Sequence, residues 1–262
     1  MEGRKFLWNS NYKEGNPVLR MTTALFALVL STACATHPKT VATRPVIKRI
    51  AVIPASNPRW YTFENAAPPV GGYPLQFWVN KLDSKSKARL FNDKVSPQSA
   101  ALGSDLTEQV AASLRDRGFI VEILEGVTRP PDDPDNVDDD KVSTGADAIL
   151  HLRISEVGLY SSGYSRNYIP RVNASGKLFV RGEDDNVYDE DLCYGVDAKK
   201  GKEWAIQPDA KYTYPSFDAV MAHIEEVRSS FAEGTREIST RMSGQIVDSI
   251  KGYHSDALVQ AK

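Results

Sequence analysis

The sequence predicts an α/β (α+β) fold: a single mixed sheet with a βαβ start, a three-strand antiparallel meander, and a long C-terminal helix packed on the sheet. Three observations predict it. Between Ile50 and Leu124 an apolar run, a helix-periodic stretch and a second apolar run follow one another, the order that joins parallel neighbours. Between Ala148 and Gly195 three segments alternate apolar and polar residues, with short polar turns between them, as antiparallel strands with one wet face do. From Phe217 to Ile250 an apolar stripe recurs at helical spacing.

Each element has its own local reason. Residues 50–54 (IAVIP) are continuous, apolar and rich in β-branched side chains, which marks a strand covered on both faces. Residues 96–117 read as a helix. Ser96 is placed to cap it, Pro97 suits the first helical position, and Leu102, Leu106, Val110 and Leu114 form one stripe. Gly118 is the natural left-handed stop, and residues 119–124 (FIVEIL) make the next strand. In the meander, Leu150, Leu152 and Ile154 share one face and His151, Arg153 and Ser155 the other. Val172, Ala174, Leu178 and Val180 line one face of the second strand, and Tyr188, Leu192 and Tyr194 one face of the third. Residues 197–214 read as a polar loop. The last helix, residues 216–251, carries ten positions from Phe217 to Ile250, with Thr235 between Phe231 and Ile238. Their mean step is about 3.7 residues, the drift of a straight helix lying on a sheet. Gly234 and Gly244 should weaken it, Gly252 should end it, and residues 253–262 read as a loose tail.

Residues 56–95 form an unusual insertion after the first strand. Pro58, Pro68, Pro69, Pro74 and the Gly71-Gly72 pair oppose long regular structure, while Trp60, Tyr61, Phe63, Tyr73, Phe77, Trp78 and Phe91 oppose disorder. A packed, largely irregular segment is expected, with one helical turn or a short strand near residues 75–82. Two readings of its aromatics compete. They cover an open end of the core, or they present a binding surface formed by Trp60, Tyr61, Tyr73 and Trp78 together with Tyr160, Tyr164 and Tyr168.

The N-terminal region says where the chain works. Arg20 precedes the apolar run 24–30 (ALFALVL), and Ser31, Thr32 and Ala33 then lead to Cys34. A charged segment, a short apolar segment and small residues before a cleavage point make an export signal. The apolar run is too short to span a bilayer, which takes roughly 20 apolar residues. With the cysteine directly after the small residues, the stretch resembles the lipobox of bacterial lipoproteins, although Ser31 stands where that motif prefers Leu. A plain cleaved signal and a membrane-anchoring or buried helix are the alternatives. Residues 1–20 fit a signal poorly, and a start at Val18 or Met21 would give a compact one. The expected division is a signal at 1–33, a lipidated tether at 34–47, one α/β domain at 48–252 and the tail at 253–262.

Composition sets further bounds. A net charge of −2 disfavours a nucleic-acid partner, whose phosphates require a basic face. With Cys34 lipidated, Cys193 is the remaining cysteine of two, expected as an unreactive thiol in a strand. The acidic run 130–141 (PPDDPDNVDDDK) lacks the glycine and ligand spacing of a calcium loop and reads as a solvated loop. His37, His151, His223 and His254 are scattered, and no metal, nucleophile-elbow or nucleotide-binding spacing occurs. Asp189 and Asp191 share a strand face, better read as solvated than as an acid pair. No catalytic residue, metal or cofactor is expected.

The RIAVIP strand, the LTEQVAASLRDRGF helix end and the GADAILHLRISEV strand loosely resemble the small α/β domains of envelope lipoproteins: the TolB N-terminal domain and the CsgG-type and penicillin-binding-protein-activator families. The likeness covers residues 48–160, and the aromatic insertion departs from it. It implies a non-catalytic protein, lipid-anchored through Cys34 to the outer membrane and facing the periplasm, that binds or helps assemble other envelope proteins. A lipid-anchored hydrolase of wall or lipid material is the alternative. Ala35, rather than an aspartate, after the cysteine favours the outer membrane.

Labelled palmitate is expected to enter the wild-type chain and not Cys34→Ala, which should leave the membrane fraction. Equal labelling and sedimentation of the variant would remove Cys34 as the anchor.

Overall fold

Ile50, Ala51, Val52 and Ile53 are fully buried, so their strand needs cover on both faces and both edges. The computed structural model supplies it. It describes residues 44–66, 74–127, 130, 137, 141–162, 167–183, 185–195 and 202–260, all within the unit Thr43–Lys262. Strand β1 (Arg49–Ile53) is followed by β2 (Thr62–Ala66), α1 (Pro74–Lys94), α2 (Leu102–Asp116), β3 (Ile120–Ile123), β4 (Ala148–Ser162), β5 (Tyr168–Phe179), β6 (Tyr188–Gly195), β7 (Ala205–Ile206), α3 (Phe217–Ala222) and α4 (Ile224–Gln260). One seven-stranded mixed sheet runs β3-β1-β4-β5-β6-β7, with β2 also on β4. β1 is parallel to β3 and β4, and β4-β5-β6 is the antiparallel meander. The βαβ start, the meander and the long last helix are therefore as the sequence indicates.

Helices α1, α2 and α4 pack on one face and share the main core. On the other face, Leu124, Val137 and Val142 cover Ala51, Ile53 and Ile149 in a small second cluster.

Four expectations need correction. The insertion holds a strand and a 21-residue helix, far more regular structure than one turn. The Asn92 side chain accepts from Tyr61 N (2.8 Å) and donates to Tyr61 O (2.9 Å). This pair mimics a strand neighbour and ties the start of β2 to α1. Second, the helix expected from Ser96 starts at Leu102. Residues Pro97–Ser99 form a separate 3-10 turn, and no side chain of Ser96 or Ala101 caps either element. The cap comes instead from the connection after β1, where Asn57 accepts from Gly103 N (2.7 Å). Gly103 lies directly on that connection, since a Cβ there would sit 2.6 Å from Ala55 O.

Third, the polar loop after β6 contributes the parallel edge strand β7, held to α4 by Arg241, which donates to Glu203 O and Ala205 O (2.9 Å each). Fourth, the last helix breaks at His223, whose backbone leaves helical geometry, and then continues past Gly252 to Gln260. Tyr253 and His254 meet the chain ahead of β1. His254 Nε2 accepts from Ile47 N (3.1 Å), and Arg44 lies 4.9 Å over the Tyr253 ring.

Helix α4 buries Val227, Phe231, Ile238, Met242 and Ile246 completely. Its buried hydroxyls are satisfied within the helix: Ser230 donates to Val227 O, Thr235 to Phe231 O and Ser239 to Thr235 O. Ser243 bonds Ser113 of α2 (2.9 Å), so small residues let the two helices approach. The two helix glycines differ. At Gly234 a Cβ would lie 2.5 Å from the Tyr194 ring, whereas nothing lies within 4 Å of one at Gly244.

Gly234→Ala should therefore cost about 1–3 kcal/mol through overpacking, and Gly244→Ala should gain up to about 1 kcal/mol in helix propensity. Urea midpoints that move the same way for both would refute this distinction.

Candidate functional site

The site begins with a mismatch of strand lengths. β4 has 15 residues and β1 has five. β1 pairs with β4 as far as Ile53↔His151, and β2 resumes the pairing at Thr62↔Gly158. In the interval β4 carries a bulge between Ile154 and Glu156, which shifts the alternation so that Val157 and Leu159 still face the helices. The connection 54–61 crosses this interval, and a cleft opens on each side of it.

The first cleft, about 280 Å³, lies between the connection and the bulge, with Asn57, Arg59, Trp60, Ser155 and Glu156 in its wall. The second, about 320 Å³, lies between the start of α2 and the start of α4, lined by Tyr61, Ser99, Leu102, Asp105, Glu225 and Arg228 among others. Trp60 is 48% exposed and Tyr61 0%. Successive residues of an extended chain point to opposite sides, so the two neighbours serve different clefts.

The Tyr61 ring is held rigidly, stacked on Phe231 (5.2 Å between centroids) and edge-on to Phe91 (5.6 Å). Among the described residues its buried hydroxyl has no hydrogen-bond partner. Burial pushes the phenol above its usual titration range, and the positive charge of Arg228 pulls in the opposite direction. Arg228 is only loosely engaged, 3.4 Å from Glu225 Oε1.

The proposed surface aromatics are thus divided. Trp60 is exposed, while Tyr61 and Tyr168 are core residues rather than surface anchors. Tyr168 is 4% exposed and packs on Phe63, its hydroxyl accepting from Lys87 Nζ (3.1 Å). Tyr160 is half-buried beneath the Arg171 guanidinium at 4.9 Å. Trp78 lies on α1 with its side chain outside the described residues, as do Tyr73 and Tyr164 altogether. Cys34 and the lipobox also lie outside them. Cys193 is a half-buried thiol on β6, and Asp189 and Asp191 are exposed beside it. Among the described residues no three His, Cys, Asp or Glu side chains gather as a metal site would require.

Arg171 is a feature the sequence reading missed. It is buried on the face of β5 opposite the helices, 2.8 Å from Glu156 and 3.2 Å from Glu64. Its cross-strand neighbours are Gly158 and Gly195. A side chain at Gly158 would strike Thr62 O, and one at Gly195 would strike Pro170 O. The two strand glycines were the available signal. Through Glu64 and Glu156 the guanidinium ties β2 to β4 just beyond the bulge, so it braces the floor of the first cleft.

What these features define is a two-layer α/β domain with a pair of clefts where β4 changes partners. No family model matches the chain, and no curated protein matches it in sequence. Solved structures overlay it weakly. A Xanthomonas campestris protein is 10% identical over 82% of this chain and 92% of its own, with TM-score 0.41. A Neisseria meningitidis lipoprotein is 14% identical over 70% and 99%, with TM-score 0.29. A minor lipoprotein of Acinetobacter baumannii is 10% identical over 77% and 92%, with TM-score 0.33. No family follows from scores this low.

Adjacent substitutions should separate the two aromatic roles. Tyr61→Ala should cost about 3–5 kcal/mol as a core truncation, and Trp60→Ala less than about 1 kcal/mol. Equal losses in melting or urea unfolding would place Trp60 in the core.

Proposed function

We propose that the chain is a lipid-anchored envelope protein, held through Cys34 at the outer membrane and facing the periplasm, that binds or helps assemble other envelope components and is not a catalyst. The observation that carries this reading is polarity along the strands. The chain from the anchor enters the domain at Ile47, against His254 near the end of α4. The exposed Trp60 and both clefts lie at the other end, where Tyr61 and Arg228 of α4 line one cavity. Arg228 and His254 are 26 residues apart on one helix, a rise of about 40 Å. The exposed aromatic end would therefore stand well clear of the bilayer surface, facing components carried by the periplasm or the wall. Trp suits such a position because it brings a large contact area with one polar handle.

A photoreactive residue placed at 60 or at 48 in the anchored full chain tests this. Position 60 should yield a discrete protein adduct in cells, and position 48, beside the tether, should not yield the same one. Trp60→Ala should lose the complex while remaining folded. A folded, anchored protein that gives no adduct at 60, or identical adducts at both positions, would overturn the reading.

A further inference from the structure

The cavity between α2 and α4 has the chemistry of a small-ligand site, whether or not the domain is anchored. Three kinds of hydrogen-bond donor surround it. The Tyr61 hydroxyl is 0% exposed and has no partner among the described residues. At the start of α2 no side chain of Ala101 caps the helix, Asn57 takes Gly103 N, and Asp105 N already bonds Ala101 O. The N–H group of Leu102, in the cavity wall, has no carbonyl within the helix to bond. Arg228 supplies a guanidinium whose contact with Glu225 is long. Two carboxylates stand at the rim, on the exposed residues Asp105 and Glu225.

An anion alone would meet the inward donors but would also feel both carboxylates. A cation alone would meet the rim and leave the donors unmatched. A molecule with both charges suits both parts. The volume, about 320 Å³, is at the small end of ligand pockets and corresponds to roughly ten water molecules at about 30 Å³ each.

We propose that this cleft binds a small zwitterion. One carboxylate or phosphate group sits inward on the Tyr61 hydroxyl, the Arg228 guanidinium and the Leu102 N–H at the start of α2. One ammonium group sits at the rim against Asp105 and Glu225. An amino acid and an ethanolamine-phosphate headgroup share this chemistry.

Calorimetric titration of the full chain in detergent distinguishes them. The probes are alanine and O-phosphoethanolamine, with ethylamine, acetate and inorganic phosphate as single-charge controls. At least one zwitterion should bind at millimolar concentration or below, and more tightly than any control; which one binds identifies the source. Tyr61→Phe should weaken that binding about tenfold or more, the loss of a hydrogen bond to a charged group. Its melting temperature should stay the same or rise, because the hydroxyl makes no bond among the described residues. Arg228→Gln, on a partly exposed side chain, should also weaken binding and provides a variant that keeps the fold. Lack of binding by both zwitterions, a single-charge control that binds as well, or Tyr61→Phe and Arg228→Gln binding like wild type would each overturn the proposal.

Discussion

The length of β4 is the constraint on which the rest of the molecule depends. Backbone N–H and C=O groups removed from water must be hydrogen-bonded, and β4 extends far beyond the five residues of β1. Its far end needs another neighbour on the same edge. The insertion provides it as β2, and α1 then covers the face of β2 that would otherwise be wet. An aromatic-rich segment placed directly after the first strand is thus the means of completing the sheet. The interval between β1 and β2 cannot hold a regular ladder, which is why a bulge, a crossing loop and two clefts gather there.

Close backbone approach is the second theme. The loop after β1 rests on Gly103, β2 rests on β4 at Gly158, β5 meets β6 at Gly195, and α4 lies on Tyr194 at Gly234. Each glycine sits where two elements touch, so the helix layer and the sheet settle into one relative placement. Arg171 performs the same task by charge. Leaving such a buried guanidinium without its carboxylates would cost several kcal/mol, so Glu64 and Glu156 fix the register of β2 on β4 more firmly than the short ladder does alone.

Much of this was legible in the sequence where periodicity was strong. The alternation of β4, β5 and β6 and the α4 stripe gave those elements and their buried faces directly. Other features were hidden because their causes lie far apart in the chain. Nothing local to residues 62–66 says that a strand 96 residues later lacks a neighbour. Ser96 and Pro97 carry a valid helix-start signal, but the contact of Gly103 with Ala55 and Ser56 moves the start to Leu102. Gly252 is a reasonable stop, yet the packing of Tyr253 and His254 on residues 44–47 keeps the helix going. At the clefts the composition correctly marked the insertion as important, but it could not separate Trp60 from Tyr61. That division depends on which side of the crossing loop faces α4.

The two clefts also differ in what stability alone would have chosen. In the first, Trp60 is exposed beside a braced floor. In the second, Tyr61 occupies a site that phenylalanine would fill equally well, among Phe91 and Phe231. A buried hydroxyl without a partner costs about 1–3 kcal/mol, a state Tyr61 shares with Tyr194, Tyr214 and Tyr253 among the described residues, but of these only Tyr61 borders this cleft. Because burial raises the titration point of the phenol, it stays neutral and keeps its proton across the ordinary pH range. It is therefore a permanent donor, and Arg228, in the wall of the same cleft, is positive. Local preference conflicts with global packing at this position, and such conflicts gather at functional sites. The conflict is resolved if an acceptor from outside the chain completes the hydrogen bond that the fold leaves open.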